Sequence, residues 1–265
     1  MYSFNYVRPG SIADATAASA KADEAKFLAG GQTMIPTLKQ RLARPGLMVD
    51  LSALAELRGI EKNGNALGIG AMTTHAEVAN STVVKASLPA LAHLAGGIGD
   101  PAVRHRGTIG GSIANNDPSA CYPSAVLALN ATIVTDKRQI KADDFFKGLF
   151  TTALGPNEMI TAIGFPVPEK AGYAKFEQRA SRFALVGVFV AKSAGKVRVA
   201  VTGAGEGGVF RVPELEAALA ANWSPAAVRG MAVKSAGLMG DMPGSAEYRA
   251  NLIAVMCERA VAMAG

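Results

Sequence analysis

Residues 25–51, AKFLAGGQTMIPTLKQRLARPGLMVDL, alternate between extended and helical character. The first residues read as a short strand that runs into the glycine turn Ala29-Gly30-Gly31-Gln32-Thr33. The following segment reads as a helix that Pro36 opens and Pro45-Gly46 closes, because proline suits a first helical turn and cannot continue a helix from within. LMVDL is apolar and β-branched enough for a buried strand. A strand–loop–helix–strand unit brings its second strand back beside the first, so the two strands are predicted to be parallel neighbours. Upstream, Ser11 is placed to cap a helix running through Ala22, with Asp14 in the first turn facing the positive helix end.

Farther along, the period changes. Residues from Leu57 onward suggest a hairpin with Asn63-Gly64 as its turn, and the stretches 74–81 and 83–99 are helical in pattern. A second hairpin follows at TIVT and RQIKADDFF, then the strand MITAIGFPVP, which prolines stop. From Tyr173 onward, YAKFEQR, FALVGVFVAK and KVRVAVTG read as three antiparallel strands, with Ser193-Ala194-Gly195 turning the last pair. Three helices close the chain. The last carries an apolar stripe at Tyr248, Leu252, Val255, Met256 and Met263. The fold class expected is α+β: two α+β subdomains over 1–55 and 56–170, then a small C-terminal domain over 171–265 that combines a three-stranded antiparallel sheet with a helical bundle.

Of the 265 residues, 49% are hydrophobic and 18% charged, which suits a globular chain with a sizeable core and excludes a disordered one. Two cysteines cannot form a disulfide framework and show no metal-ligand spacing, so no metal site is expected. The start MYSFNYVRPGS lacks the apolar core of a signal peptide, and runs such as ALVGVFVA are too short to cross a bilayer. A reducing, cytoplasmic setting is expected. The net charge of +6 comes without a dense basic run interleaved with aromatics, so nucleic acid is not the expected partner. An anionic ligand, acidic partners or a solvated basic surface each account for it.

A second glycine motif, Thr108-Ile109-Gly110-Gly111-Ser112, lies within RHRGTIGGSIANNDPSACYPSAVLAL, residues 104–129. Like the first, it joins two glycines to a hydroxyl residue. Successive glycine N–H groups can turn to one side and form a nest for anionic oxygens, and the missing Cβ lets backbone touch a phosphate. Either motif alone is compatible with an ordinary connection; the pair suggests a diphosphate held from two subdomains. Arg104 and Arg106 flank the second motif and could neutralise phosphate. Gly203, Gly205 and Gly208 satisfy a dinucleotide fingerprint, but VFRVP follows where a crossover helix is required, and no acidic residue lies at the expected distance. His75, His93 and His105 are scattered; His75 reads as a local capping or pairing residue and His93 as a packed one.

At these residues the chain resembles a known family. FLAGGQTMIPTLKQRLARPGLMVDL, AMTTHAEV, GGIGDPAVRHRGTIGGSIANNDPSACYPSAVLAL and ADDFFKGLFTTAL are similar to the FAD-binding medium subunit of molybdenum hydroxylases, in particular the carbon monoxide dehydrogenase type. The resemblance implies two FAD-binding subdomains and a C-terminal domain. It implies an oxidoreductase subunit that passes electrons through FAD to an external acceptor. Its partners would be a small iron-sulfur subunit with two 2Fe–2S clusters and a large molybdenum–pterin subunit. A peripheral position at the inner membrane face would then come through the complex. The resemblance assigns Ala29, Gly30, Gly31, Gln32 and Thr33 to one side of the FAD diphosphate, and Thr108, Ile109, Gly110, Gly111 and Ser112 to the other. It gives Asp117 a ribityl or ring hydrogen bond, places Ile160 by the isoalloxazine, and matches Lys175 to a lysine near the flavin. It assigns no catalytic residue. Cys121 departs from the pattern, since xanthine dehydrogenases among other relatives carry an aspartate there. Two other readings are a docking subunit that has lost flavin and a stand-alone flavin oxidoreductase.

Overall fold

In the computed structural model, which describes residues 1–264, the chain opens with β1 (Asn5–Val7), α1 (Ile12–Ala20), β2 (Ala25–Leu28), α2 (Met34–Lys39) and β3 (Leu47–Asp50). β3 is central and pairs in parallel with β1 and with β2, as the strand–loop–helix–strand reading requires. Ser11 caps α1, its Oγ accepting from the Asp14 N–H at 3.1 Å. α2 is shorter than predicted. It starts at Met34, ahead of Pro36, and stops at Lys39, because Arg41 turns into left-handed backbone (φ +61°) well before Pro45-Gly46. Ala15, Leu47, Val49, Leu51, Leu54 and Leu57 form a core beneath this sheet.

The second part runs β4 (Ile60–Asn63), β5 (Ala66–Gly70), α3 (His75–Asn80), α4 (Thr82–Ser87), α5 (Pro89–Gly96), α6 (Pro101–Arg106), α7 (Ile109–Asn115) and α8 (Tyr122–Ala128). It continues with β6 (Thr132–Thr135), β7 (Gln139–Lys141), α9 (Ala142–Phe145), β8 (Phe146–Gly148), β9 (Thr151–Thr152) and β10 (Ile160–Pro166). Its main sheet has the order β4-β5-β10-β6-β7 and is antiparallel throughout. The first hairpin turns at Gly64-Asn65, one position later than predicted, since Asn63 still pairs with Ala66 and Gly64 takes the positive φ of +57°. Leu67, Ile69, Leu91, Leu94, Ile113, Val126, Phe145 and Phe165 fill the core between this sheet and its helices.

The third part comprises β11 (Lys170–Glu177), β12 (Ala184–Ser193), β13 (Lys196–Thr202), β14 (Phe210–Arg211), α10 (Pro213–Ala221), α11 (Pro225–Val228) and α12 (Ala246–Met263). The three predicted strands form, and the two residues of β14 add a fourth, antiparallel to β13. On α12, Leu252 and Met256 are buried, whereas Tyr248 and Met263 are exposed. The inward face is instead centred on Leu252, Ile253, Met256, Cys257 and Ala260, which pack on the sheet. The other face of the sheet is not free: Tyr173, Phe189, Ala191 and Ala200 join the core that contains α8. No helix among the described residues is long and apolar enough to cross a membrane.

Candidate functional site

All three parts contribute to one cleft of about 590 Å³. Its walls include Gly30, Gly31, Gln32 and Thr33 from the end of β2, Gly110, Gly111 and Ser112 from α7, and Ser181, Arg182 and Phe183 from the β11–β12 connection.

The first glycine motif is a turn, as expected. Gly31 has φ +75°, open to glycine without strain. Gly30 serves another purpose: a Cβ there would lie 2.0 Å from the Arg106 carbonyl oxygen, so this glycine is where the first part touches the end of α6. The N–H groups of Gly30, Gly31, Gln32 and Thr33 find no acceptor among the described residues. Thr33 precedes α2 without using its side chain as a cap, so its hydroxyl is also uncommitted.

The second motif is not the expected loop. Thr108 caps α7, and Ile109, Gly110, Gly111 and Ser112 form its first turn. Their N–H groups are committed: Ile109 donates to Thr73 O at 3.0 Å, Gly110 to Ala71 O at 2.9 Å, Gly111 to Thr108 Oγ1 at 3.2 Å and Ser112 to Thr108 O at 3.0 Å. The anion nest expected from Gly110-Gly111 is therefore absent among the described residues. Gly110 instead lets α7 approach β5, because a Cβ there would come within 2.5 Å of the Ala71 Cβ. Ile109 is fully buried in the core and does not line the cleft. Gly111 does line it, and a Cβ there would lie 3.4 Å from Ala29 Cβ on the opposite wall.

Asp117 and Ile160 both line the cleft. One carboxylate oxygen of Asp117 accepts from the Ser119 N–H at 2.9 Å, leaving the other for a ligand. Lys175 is not on the wall, nor is it an exposed strand lysine. Its Nζ donates to Gly97 O at 2.6 Å and Arg182 O at 2.7 Å, and lies 3.9 Å from Cys121 Sγ. It thus ties together two turns whose neighbours, Ile98, Gly99, Arg182 and Phe183, do face the cleft. Arg104 acts similarly, donating to Ile98 O and Gly99 O at 3.1 and 2.7 Å. Cys121 lines the cleft at the start of α8; burial pushes its thiol pKa up, and the Lys175 ammonium opposes that shift.

The cleft also takes in residues whose place on its wall the sequence did not show, among them His75, Phe150, Arg182 and Phe183. His75 is the first residue of α3, where Thr74 and Glu77 form a reciprocal cap. It packs on Tyr122 with ring centroids 5.3 Å apart, and burial, aided by the Arg104 charge, lowers its pKa to about 4. The imidazole is therefore neutral at physiological pH. The capping pattern T-H-A-E marks the helix start, but nothing in it reveals that the first residue faces a cleft. Phe150, at the tip between β8 and β9, also lines the wall. His93 packs edge-on against Tyr173, and Gly205 and Gly208 line a separate hollow of about 360 Å³ in the third part, without a crossover helix.

A family described as the FAD binding domain in molybdopterin dehydrogenase matches residues 2–168. The chain belongs to this family. It is 36% identical over 274 residues to the nicotine 6-hydroxylase medium subunit of Paenarthrobacter nicotinovorans, covering 98% of this chain and 96% of that one. It is 36% identical over 285 residues to the carbon monoxide dehydrogenase medium chain of Afipia carboxidovorans, with coverage of 98% and 96%. Among solved structures, reconstituted CO dehydrogenase from Oligotropha carboxidovorans superposes with a TM-score of 0.89 at 33% identity, over 99% of this chain and 98% of that chain. Quinoline 2-oxidoreductase from Pseudomonas putida 86 gives 0.84 at 28% identity, over 99% and 97%. The chain is an FAD-binding component of an oxidoreductase.

The residues present fit that cofactor. The cleft volume falls within the roughly 300–1,000 Å³ of small-molecule sites. Four uncommitted amides in a row, with the start of α2 behind them, suit a diphosphate.

Proposed function

We propose that this chain is the flavin-bearing electron-transfer subunit of a molybdenum hydroxylase complex. Electrons from two 2Fe–2S clusters in a small partner subunit reach FAD here and leave to an external acceptor. A large molybdenum–pterin subunit carries out the hydroxylation. The observation that carries this reading is the row of free amides from Gly30 to Thr33 inside the cleft.

These amides and the Thr33 hydroxyl would hold the diphosphate. Ser112 would offer its hydroxyl from the opposite wall, and Gly111 would leave the passage open. Asp117 would accept a hydrogen bond from a ribityl hydroxyl through its free oxygen, while Ile160 would supply an apolar surface. Neutral His75 would add no charge to that wall. When bound, FAD supplies the capacity to take up electrons from one-electron donors and release them to a different acceptor.

The two cysteines are too few for a four-thiolate cluster, which supports placing the iron–sulfur centres in another chain. Both are free, as suits a reducing, cytoplasmic compartment. The relatives are named for nicotine and carbon monoxide, so substrate choice is assigned to a partner.

The full chain should take up a single FAD per molecule and show a flavin absorption spectrum. Co-purification with its partners, followed by iron, molybdenum and flavin analysis, tests the assembly. A folded chain that stays colourless in micromolar FAD would refute the reading.

A further inference from the structure

The tip between β8 and β9 holds a large side chain in an unfavourable backbone. Phe150 has φ +52°, a left-handed conformation that bulky residues rarely adopt. The surroundings enforce it. The Phe150 N–H donates to Asn116 O at 3.2 Å, and Asn116 Nδ2 donates to Gly148 O and Thr151 O at 2.8 and 2.9 Å. Asn116 is itself buried and left-handed, and it closes α7, whose other end carries Gly110 and Gly111. Three hydrogen bonds thus clamp the tip to the helix that forms one wall of the cleft.

Those bonds hold the backbone, but no side-chain packing among the described residues accounts for an aromatic ring at this position. The Phe150 side chain joins no core cluster and no aromatic pair, and the residue is 60% exposed. Yet it lines the cleft, beside the segment that carries Asp117 and close in sequence to Leu154, another wall residue. Strained, over-determined residues without an internal role concentrate where a ligand binds.

We propose that Phe150 is a flavin contact, held in its strained conformation so that its ring packs against the isoalloxazine of FAD. This rests on the FAD-binding reading above. An aromatic side chain suits that partner, since ring pairs add attraction beyond the area they bury. The Asn116 clamp lets the ring be set before the cofactor arrives. Leu149, also exposed at the tip, does not line the cleft.

The test uses the full chain without FAD and three ligand experiments. Phe150→Gly should raise the unfolding temperature of the FAD-free chain by roughly 2–4 °C, because glycine accepts this backbone without strain. The same variant should bind FAD roughly tenfold more weakly. Its affinity for ADP, which lacks the flavin ring, should equal that of the unmodified chain. Phe150→Trp should quench the fluorescence of bound flavin below the level in the unmodified chain. Opposite signs for stability and FAD affinity are what a packing residue does not produce. Undiminished FAD affinity in Phe150→Gly would overturn the proposal and leave the tip to a partner subunit. So would an equal loss for ADP, which would put Phe150 at the adenine end, a lower unfolding temperature, or unchanged fluorescence in Phe150→Trp. Failure of the unmodified chain to bind FAD would instead bring down the parent reading, and this one with it.

Discussion

His75 shows how much a single residue's surroundings decide. Its folded pKa of about 4 lies below the ordinary 6.5. Between those values the unfolded chain binds a proton that the folded chain refuses, so stability falls as pH drops through that window. The loss should reach about 3 kcal/mol, and it is complete below the folded pKa. His75→Gln should remove most of this slope, as urea midpoints at both ends of the window would show. The glycines make a related point. Gly30→Ala drives a Cβ into the Arg106 carbonyl, and should cost roughly 1–3 kcal/mol of folding stability. Gly111→Val should weaken FAD by about an order of magnitude, since it fills the gap toward Ala29, and should cost less stability than Gly30→Ala because the atom it crowds, Thr108 Oγ1 at 2.9 Å, belongs to a side chain and not to backbone. Thermal unfolding and FAD titration of the two variants separate the roles. From the amino-acid order, both glycines suggested a cofactor, because paired glycines with a hydroxyl mark close backbone approach. Their different tasks were not legible, since each depends on a neighbour distant in the chain.

α7 is the element that departs most from its sequence. Two glycines in succession are poor helix formers, and a loop is the natural expectation. The helix forms because its first turn is held from outside: Ala71 O and Thr73 O take the Gly110 and Ile109 N–H groups, and Thr108 takes the Gly111 N–H. The Ala71 and Thr73 acceptors, distant in the chain, have no local signature. Thr108→Ala removes the cap and should cost about 1 kcal/mol, read from denaturant unfolding, with the Gly111 amide left without its acceptor. By contrast, β2, β3 and the strands β11–β13 were legible, because their apolar content and turns speak for themselves. The early end of α2 was not, since the left-handed Arg41 carries no residue preference that would announce it.

At the scale of the whole molecule, the expected boundary near residue 171 is a change of sheet and not a break in packing. β12 is buried for most of its length, with α12 on one face and α8 on the other. Its unbroken apolar run, ALVGVFVA, was the visible sign of burial on both faces, although nothing in it names the helix that covers each. The cleft therefore belongs to no single part: the β11–β12 connection supplies Arg182 and Phe183, and Lys175 fastens that connection to the turn after α5. The two thiols divide along the same line. Cys257 is sealed in the α12 core, whereas Cys121, also buried and set against Lys175 Nζ, has an edge on the cleft. That difference predicts a way to gauge occupancy. A small maleimide at alkaline pH should tag Cys121 slowly in the empty protein, since the thiol is buried and its pKa raised, and more slowly still once FAD is added, with Cys257 silent in both. Mass spectrometry of the tagged peptide would read cofactor loading directly, without a spectrum, a partner or a turnover assay.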